Sequence, residues 1–191
     1  MRISRSYTIT TERCSLRASS EEDIPHVFSA TRHVGFNDGM LWDPPESEAE
    51  LKKPLEDGIA AWAKGEVFTF SIDAKEDGRF LGRIGIRKGE EDGVWNIGFW
   101  IHPDSQGNGF MTEAAQAILR FGFEELGAVR IEACYALWNK ASGRVLEKVG
   151  MNFVRYIPKG FLKKGEWVEE NLMAIDLSDW KPLNQSTLRL V

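Results

Sequence analysis

"IHPDSQGNGFMTEAA", Ile101–Ala115, is the stretch on which the reading of this chain turns. An apolar strand end runs into a loop with two glycines and straight on into a helical pattern. Met111, Ala115, Ile118, Gly122 and Leu126 then fall at i, i+4, i+7, i+11 and i+15, the stripe of an amphipathic helix, and Gly127 supplies its stop. Such a corner is an anion site, because unpaired backbone N–H groups converge there and the helix dipole favours negative charge. Gly107 and Gly109 keep Cβ atoms away from an approaching phosphate, and Thr112 adds a hydroxyl on the first turn. The loop therefore reads as a holder of phosphate or pyrophosphate.

Two common nucleotide motifs lack a residue here. A P-loop needs GxxxxGK[ST], and no Lys follows these glycines. A dinucleotide fingerprint needs GxGxxG near the start of a βαβ unit; the third glycine position is Thr112, roughly a hundred residues into the chain and after an antiparallel meander.

Outward from the corner, "EVFTFSIDA" (66–74), "RFLGRIGIRK" (79–88) and "GVWNIGFWI" (93–101) are short, aromatic and β-branched, separated by "KEDG" and "GEEDG". They predict three consecutive antiparallel strands. Upstream, "CSLRAS" is the first strand candidate, after a polar lead-in expected to be loosely held. Ser19 with Glu22 and Ser47 with Glu50 have capping-box spacing, opening helices that run to about Ala30 and Trp62, with Pro54 implying a bend or a late start. Between them "HVGFNDGMLWDPPESEAEL" reads as a long loop carrying Phe36, Met40 and Trp42 beside acids, a length that suits binding. Downstream come the strand "VRIEACYAL" (129–137), a helix that Asn139 can cap and Gly150 can end, and two strands flanking "KKGE". The order β-α-α-β-β-β-α-β-α-β-β predicts an α/β (α+β) fold: a mixed, mostly antiparallel sheet of about six to seven strands with helices on both faces.

Length and composition frame this. The 191 residues suit one domain over 1–191, with an ordered core about 14–180. With 42% apolar and 28% charged residues the chain is ordinary for a globular protein, and a net charge of -5 argues against a nucleic-acid or anionic-membrane surface. Cys14 and Cys134 form no CxxC pair or metal-spaced cluster, so no metal is expected; both read as buried free thiols in a reducing cytoplasm. Neither a secretory h-region nor a membrane-length apolar run is present.

Gln106-Gly107-Asn108-Gly109-Phe110-Met111 resembles the Q-x-x-G-x-G/A acetyl-CoA pyrophosphate loop of the GCN5-related N-acetyltransferases (GNAT superfamily). The wider text from Trp95 to Met151 resembles the RimJ/RimL branch, which acetylates ribosomal-protein N-termini. One departure is visible: Met111 stands where the pattern has Gly or Ala, so its side chain has to point away from the phosphates while its N–H still donates. The resemblance implies a GNAT fold and a direct acetyl transfer from acetyl-CoA to a primary amine, most fittingly a protein N-terminus of the ribosomal-protein type. Other acceptors, a small amine or an antibiotic, stay open, as does a CoA-binding regulator without activity. A monomer and a homodimer both fit.

The resemblance also assigns site residues. Backbone groups of Trp100, Ile101 and His102 would meet the pantetheine arm and thioester oxygen, and Asn139 would meet a pantetheine amide, besides serving as an N-cap. Many relatives carry a tyrosine seven residues after that Asn to protonate the departing thiolate; here Leu146 stands there, and the N-x-x-S motif points instead to Ser142. Lys140, Arg144 and Lys148 read as a solvated face or as contacts for the cofactor's 3′-phosphate. Phe36 and Trp42 are candidates to wall the acceptor pocket, and His102, beside Pro103 at a strand end, reads as structural. Candidate proton acceptors are Asp38, Asp43, Glu46, Glu169 and Glu170, and none is assigned as catalytic.

Overall fold

The computed structural model describes residues 3–181 and 189–190. Alternating side chains build its centre. In β3 (Val67–Ala74), β4 (Phe80–Lys88) and β5 (Val94–Ile101), Phe68 and Phe70 lie opposite Ile86 and Ile84 on one face, all almost wholly buried. Ser71, Arg83 and Trp100 form a row on the other. Short turns close the three strands into the expected antiparallel meander.

The sheet continues through β2 (Cys14–Ala18) to β1 (Thr8–Thr10) and the two-residue β9 (Arg189–Leu190). On its other side lie β6 (Arg130–Ala136), β8 (Glu166–Asp176) and β7 (Asn152–Lys163). The order β7-β8-β6-β5-β4-β3-β2-β1-β9 gives nine strands rather than six or seven, the additions being β1 and β9 at one edge. The lead-in is thus not loosely held: Ile9 is 1% exposed, and the Trp62 indole donates to the Ile3 carbonyl at 2.9 Å. One inward apolar residue in a three-residue strand is too short a pattern to read from sequence.

The 15-residue helix α3 (Phe110–Glu124) makes the crossover between β5 and β6, the only parallel pair among the described strands. Phe121 meets Phe68 and Phe70 at centroid distances of 5.6 and 5.4 Å, and Gly122 lets the helix close on the sheet, since a Cβ there would lie 2.6 Å from Ile131 Cδ1. Helix α1 (Ile24–Thr31) covers the opposite face through Asp23, which is wholly buried and accepts from Arg17, from the Ser71 hydroxyl at 2.6 Å and from the Ser20 N–H at 2.9 Å. The reach-back bond at this helix start therefore joins Ser20 and Asp23, one residue beyond the expected Ser19/Glu22 pair, because Arg17 and Ser71 draw Asp23 inward. At α2 (Lys52–Lys64) the Ser47/Glu50 bond forms as expected at 3.2 Å, and Pro54 sits in the first turn, where its missing N–H costs nothing. Helix α4 (Lys140–Lys148) follows β6.

One cysteine expectation is overturned. Cys14 is buried, but Cys134 is exposed, since on β6 it points away from the face that buries Ile131 and Ala133. Among the described residues no helix is long and apolar enough to cross a membrane.

Candidate active site

Strands β5 and β6 pair only over Val94–Asn96 and Arg130–Glu132. Beyond that, β5 stays with β4 as far as Ile101 and β6 stays with β8 as far as Ala136, so a wedge opens between them. The Val94 carbonyl accepts from Gly89 and the His102 N–H donates to Leu81 at 2.7 Å, which sets even-numbered positions toward β4. Ile97, Phe99 and Ile101 therefore direct their backbone groups into the wedge. Of the three residues expected to offer free groups there, Ile101 does so and His102 does not: its N–H is spent on Leu81 and its carbonyl accepts from Ser105 at 2.8 Å. The Trp100 carbonyl also lies against β4, so closely that a Cβ on Gly82 would meet it at 2.3 Å. Trp100 contributes its ring instead, edge-on to Phe36 at 5.2 Å.

The glycine loop closes one end of the wedge. Gly107 and Gly109 have φ of +80° and +78°, a region open to Gly at little cost, and a Cβ at Gly107 would stand in free space. Asn108 braces the turn by donating to the carbonyls of Gln106 and Ser105, at 3.0 and 3.3 Å. No acceptor within the described residues takes the N–H of Gly107, Asn108, Gly109, Phe110, Met111 or Thr112, so six consecutive donors are left unpaired at the loop and the first turn of α3. Met111 is 5% exposed and packs in the core, leaving its N–H on the cleft side. Arg13 straps this loop: its guanidinium lies 4.8 Å over the Phe110 ring and donates to the Asn108 carbonyl at 3.0 Å.

Across the wedge, Asn139 caps α4, its Oδ1 accepting from the Ser142 N–H at 3.2 Å. The Ser142 hydroxyl has no partner among the described residues and faces the same cleft, a space of about 1810 Å³. Leu146, where a tyrosine was sought, is 1% exposed and belongs to the core. Arg144 and Lys148 reach the cleft, whereas Lys140 does not line it. Cys134 lines it too, but its chemistry is against a thiol intermediate: burial first, then Glu170 and Glu132, push the thiol up to about 11, leaving little thiolate at neutral pH.

The loop 33–46 walls the remaining side, with Phe36 and Trp42 edge-on to each other at 6.4 Å. It is held by the β7–β8 hairpin: Lys163 donates to the carbonyls of Met40 and Trp42 at 3.1 and 2.8 Å and pairs with Asp43 at 2.7 Å, while Lys164 pairs with Asp38 at 3.5 Å. Hydrogen bonding to Lys163 holds Asp43 below the usual carboxylate range. Glu46 is exposed, and Glu169 accepts from the Tyr156 hydroxyl. Of the five candidate acids, Asp38, Asp43 and Glu169 are thus occupied, and only Asp43 and Glu170 line the cleft.

His33, His102 and Asp104 bring three potential ligand atoms within 4.8 Å of one another. Both ring nitrogens of His102 already face protein groups, Nδ1 accepting from the Asp104 N–H at 3.3 Å and Nε2 lying 3.4 Å from the Ser29 hydroxyl. Burial holds its pKa below the ordinary value, so it serves as a neutral brace at the strand end.

A wedge in a mixed sheet, an anion loop opening the crossover helix and a hydroxyl across from it match a known pattern: the acetyltransferase (GNAT) domain family matches residues 13–152. The chain belongs to the GNAT acetyltransferases. It is 27% identical over 182 residues to the protein named "Uncharacterized N-acetyltransferase YnaD" of Bacillus subtilis (strain 168), covering 90% of this chain and 98% of that one. Over 86 residues, 45% of this chain and 44% of the other, it is 34% identical to the "[Ribosomal protein uS5]-alanine N-acetyltransferase" of Escherichia coli (strain K12). Its fold is that of RimL, a ribosomal L7/L12 α-N-protein acetyltransferase solved with coenzyme A, at a TM-score of 0.80 and 18% identity over 89% of this chain and 97% of that one.

Three residues of this N-acetyltransferase escaped the sequence reading. Arg13 lies 95 positions from the loop carbonyl it binds, and Lys163 lies 121 from Trp42, separations that leave no local signal. Tyr135 lines the cleft beside Gly143, with its hydroxyl accepting from Asn171 at 3.0 Å. Its alternation within the β6 pattern was the one available hint.

Proposed function

We propose that this N-acetyltransferase moves an acetyl group from acetyl-CoA directly to a primary amine, and that the amine is a protein or peptide N-terminal α-amine of the ribosomal-protein type. The observation that carries the donor half is the set of unpartnered N–H groups from Gly107 to Thr112 at the mouth of the wedge. A pyrophosphate there would receive several charge-assisted hydrogen bonds without any loss of protein hydrogen bonding. In this reading Ile101 and Asn139 hold the pantetheine arm, Arg144 and Lys148 meet the 3′-phosphate, and the Ser142 hydroxyl stands beside the sulfur. A thiol of pKa about 8.5 leaves readily, so a hydrogen bond from Ser142 suffices for much of its stabilisation.

The acceptor half is supported by the partial relationship to the uS5-alanine acetyltransferase and by the chemistry of the amine. An α-amine of pKa about 7.7–8.0 is roughly one-tenth neutral at pH 7, whereas a lysine amine near 10.4 is neutral about 0.04% of the time. The reading places the reaction in the cytoplasm, where ribosomal-protein termini are made.

Thermal unfolding with acetyl-CoA, CoA, NADH and ATP tests the donor. Ligand at 100 times its dissociation constant adds about 2.7 kcal/mol, enough to move the midpoint by a few degrees. A shift with the two CoA ligands alone is expected; the absence of any shift with them would overturn the donor assignment. Thiol release with alanyl peptides set against small amines tests the acceptor, and a clear preference for the small amines would overturn that half.

A further inference from the structure

Glu170 stands in the cleft with no partner among the described residues. It pairs in register with Ala136 on β6 and Ile157 on β7, so its side chain shares the open face of the sheet with Ala136 and Cys134. Its carboxylate lies over Gly160, in the irregular stretch of β7 between Ile157 and Phe161, where a Cβ would come within 2.2 Å of Oε2. The missing side chain at Gly160 gives the carboxylate its place. No hydrogen bond or salt bridge to it exists among the described residues, and burial alone raises its pKa above the ordinary carboxylate value. The titratable groups around this patch are Glu132 and the neutral Cys134 thiol on β6, Arg155 on β7 and Arg87 on β4; Lys163 and Asp43 answer each other, and Glu169 points to the other face, toward Tyr156.

This arrangement bears on the reaction. Neighbouring strands lie about 4.8 Å apart, and Ala136, between Glu170 and the wedge, carries only a methyl group. Building on the acetyl-transfer reading above, we propose that Glu170 is the catalytic base for the acceptor amine and that Gly160 positions it. The Glu170 carboxylate takes one proton from the ammonium form of the acceptor, and the freed amine nitrogen bonds to the thioester carbon and loses its second proton to water. The C–S bond then breaks, and the leaving thiolate takes up one proton relayed from water through the Ser142 hydroxyl. Amide and free thiol result, and Glu170 returns its proton to solvent.

The test is turnover of an alanyl peptide and a panel of small primary amines from pH 6 to 9.5, with the acetyl-CoA-induced thermal shift measured alongside. Glu170→Gln should lower kcat roughly a hundred-fold at pH 7, the low end for general-base loss, and much less at pH 9, where an α-amine is neutral without help. The acetyl-CoA shift should not change. Gly160→Ala, which leaves Glu170 in place but crowds its carboxylate, should give a smaller loss with the same pH signature. A Glu170→Gln rate within threefold of the parent at every pH, or a loss of equal size at every pH, overturns the proposal while the transfer reading stands. A parent protein that binds acetyl-CoA yet releases thiol with no amine overturns the transfer reading and the proposal together.

Discussion

The Glu113 carboxylate, in the first turn of α3, accepts from both the backbone N–H and the guanidinium Nε of Arg13, at 2.7 and 2.8 Å. A helix-start acid is thereby tied to the β1–β2 turn, and the tie holds Arg13 against the Asn108 carbonyl and the Phe110 ring. Burial pushes the Glu113 carboxyl up, but bonds from Thr11 and Arg13 outweigh it and hold it below the ordinary value. The anion loop is therefore braced from outside its own segment.

Removing that brace should loosen the donor site without touching the acceptor side. Arg13→Ala or Glu113→Ala is expected to weaken acetyl-CoA binding by roughly ten-fold, the value of one or two hydrogen bonds to a charged group, with little change in acceptor KM. Calorimetric titration of each variant with acetyl-CoA checks this, and affinity equal to the parent's would show that the loop holds its shape unaided.

Gly109 caps α3 at φ +78°, with Arg13 Nη2 only 3.5 Å from where a Cβ would stand. Gly109→Val forces a β-branched side chain into the left-handed region and among the unpaired loop donors. We expect acetyl-CoA affinity to fall at least thirty-fold, about 2 kcal/mol, in a protein whose far-ultraviolet circular dichroism is unchanged. Normal affinity in such a folded variant would sink the phosphate-loop assignment.

Ser142 offers a hydroxyl with no partner among the described residues, since its N–H alone completes the Asn139 cap. Ser142→Ala keeps that cap and should reduce kcat by about ten- to a hundred-fold while acetyl-CoA affinity changes less than threefold. Equal losses in both, or none in kcat, would remove the residue from the chemistry.

Asp23 makes a stability prediction. Burial pushes its carboxyl up, yet hydrogen bonds from Arg17, Ser71 and the Ser20 N–H outweigh this and hold it below the ordinary value. A depressed folded pKa gives stability that is present above the unfolded value near 3.9 and is lost as pH falls through the folded one. Urea unfolding should therefore show stability dropping below about pH 4. Asp23→Ala should cost about 3–5 kcal/mol at pH 7, because the largely buried Arg83 loses its counter-charge and Arg17 keeps only Asp73, and it should flatten the acid slope. A variant as stable as the parent at pH 7 would make the network dispensable.

Local pattern by itself determined most of the architecture. Alternation in "EVFTFSIDA" and its neighbours, the glycine corner at 107–109 and the Asn139-to-Ser142 spacing each act within one turn or one strand, where side-chain period and backbone freedom are written in adjacent residues. Tertiary structure alone decided which of those residues meet. Alternation separates Glu169 from Glu170 but does not say which faces the cleft; the β6–β8 register does, by setting Glu170 beside Ala136. Likewise Asp38 and Asp43 are taken by hairpin lysines more than a hundred positions away, the His102 backbone is closed by Leu81, and Cys134 turns outward to line the cleft. Each of these outcomes depends on strand register or on a contact between distant segments, and the energy that selects it comes from burying the whole sheet rather than from any neighbour in the chain.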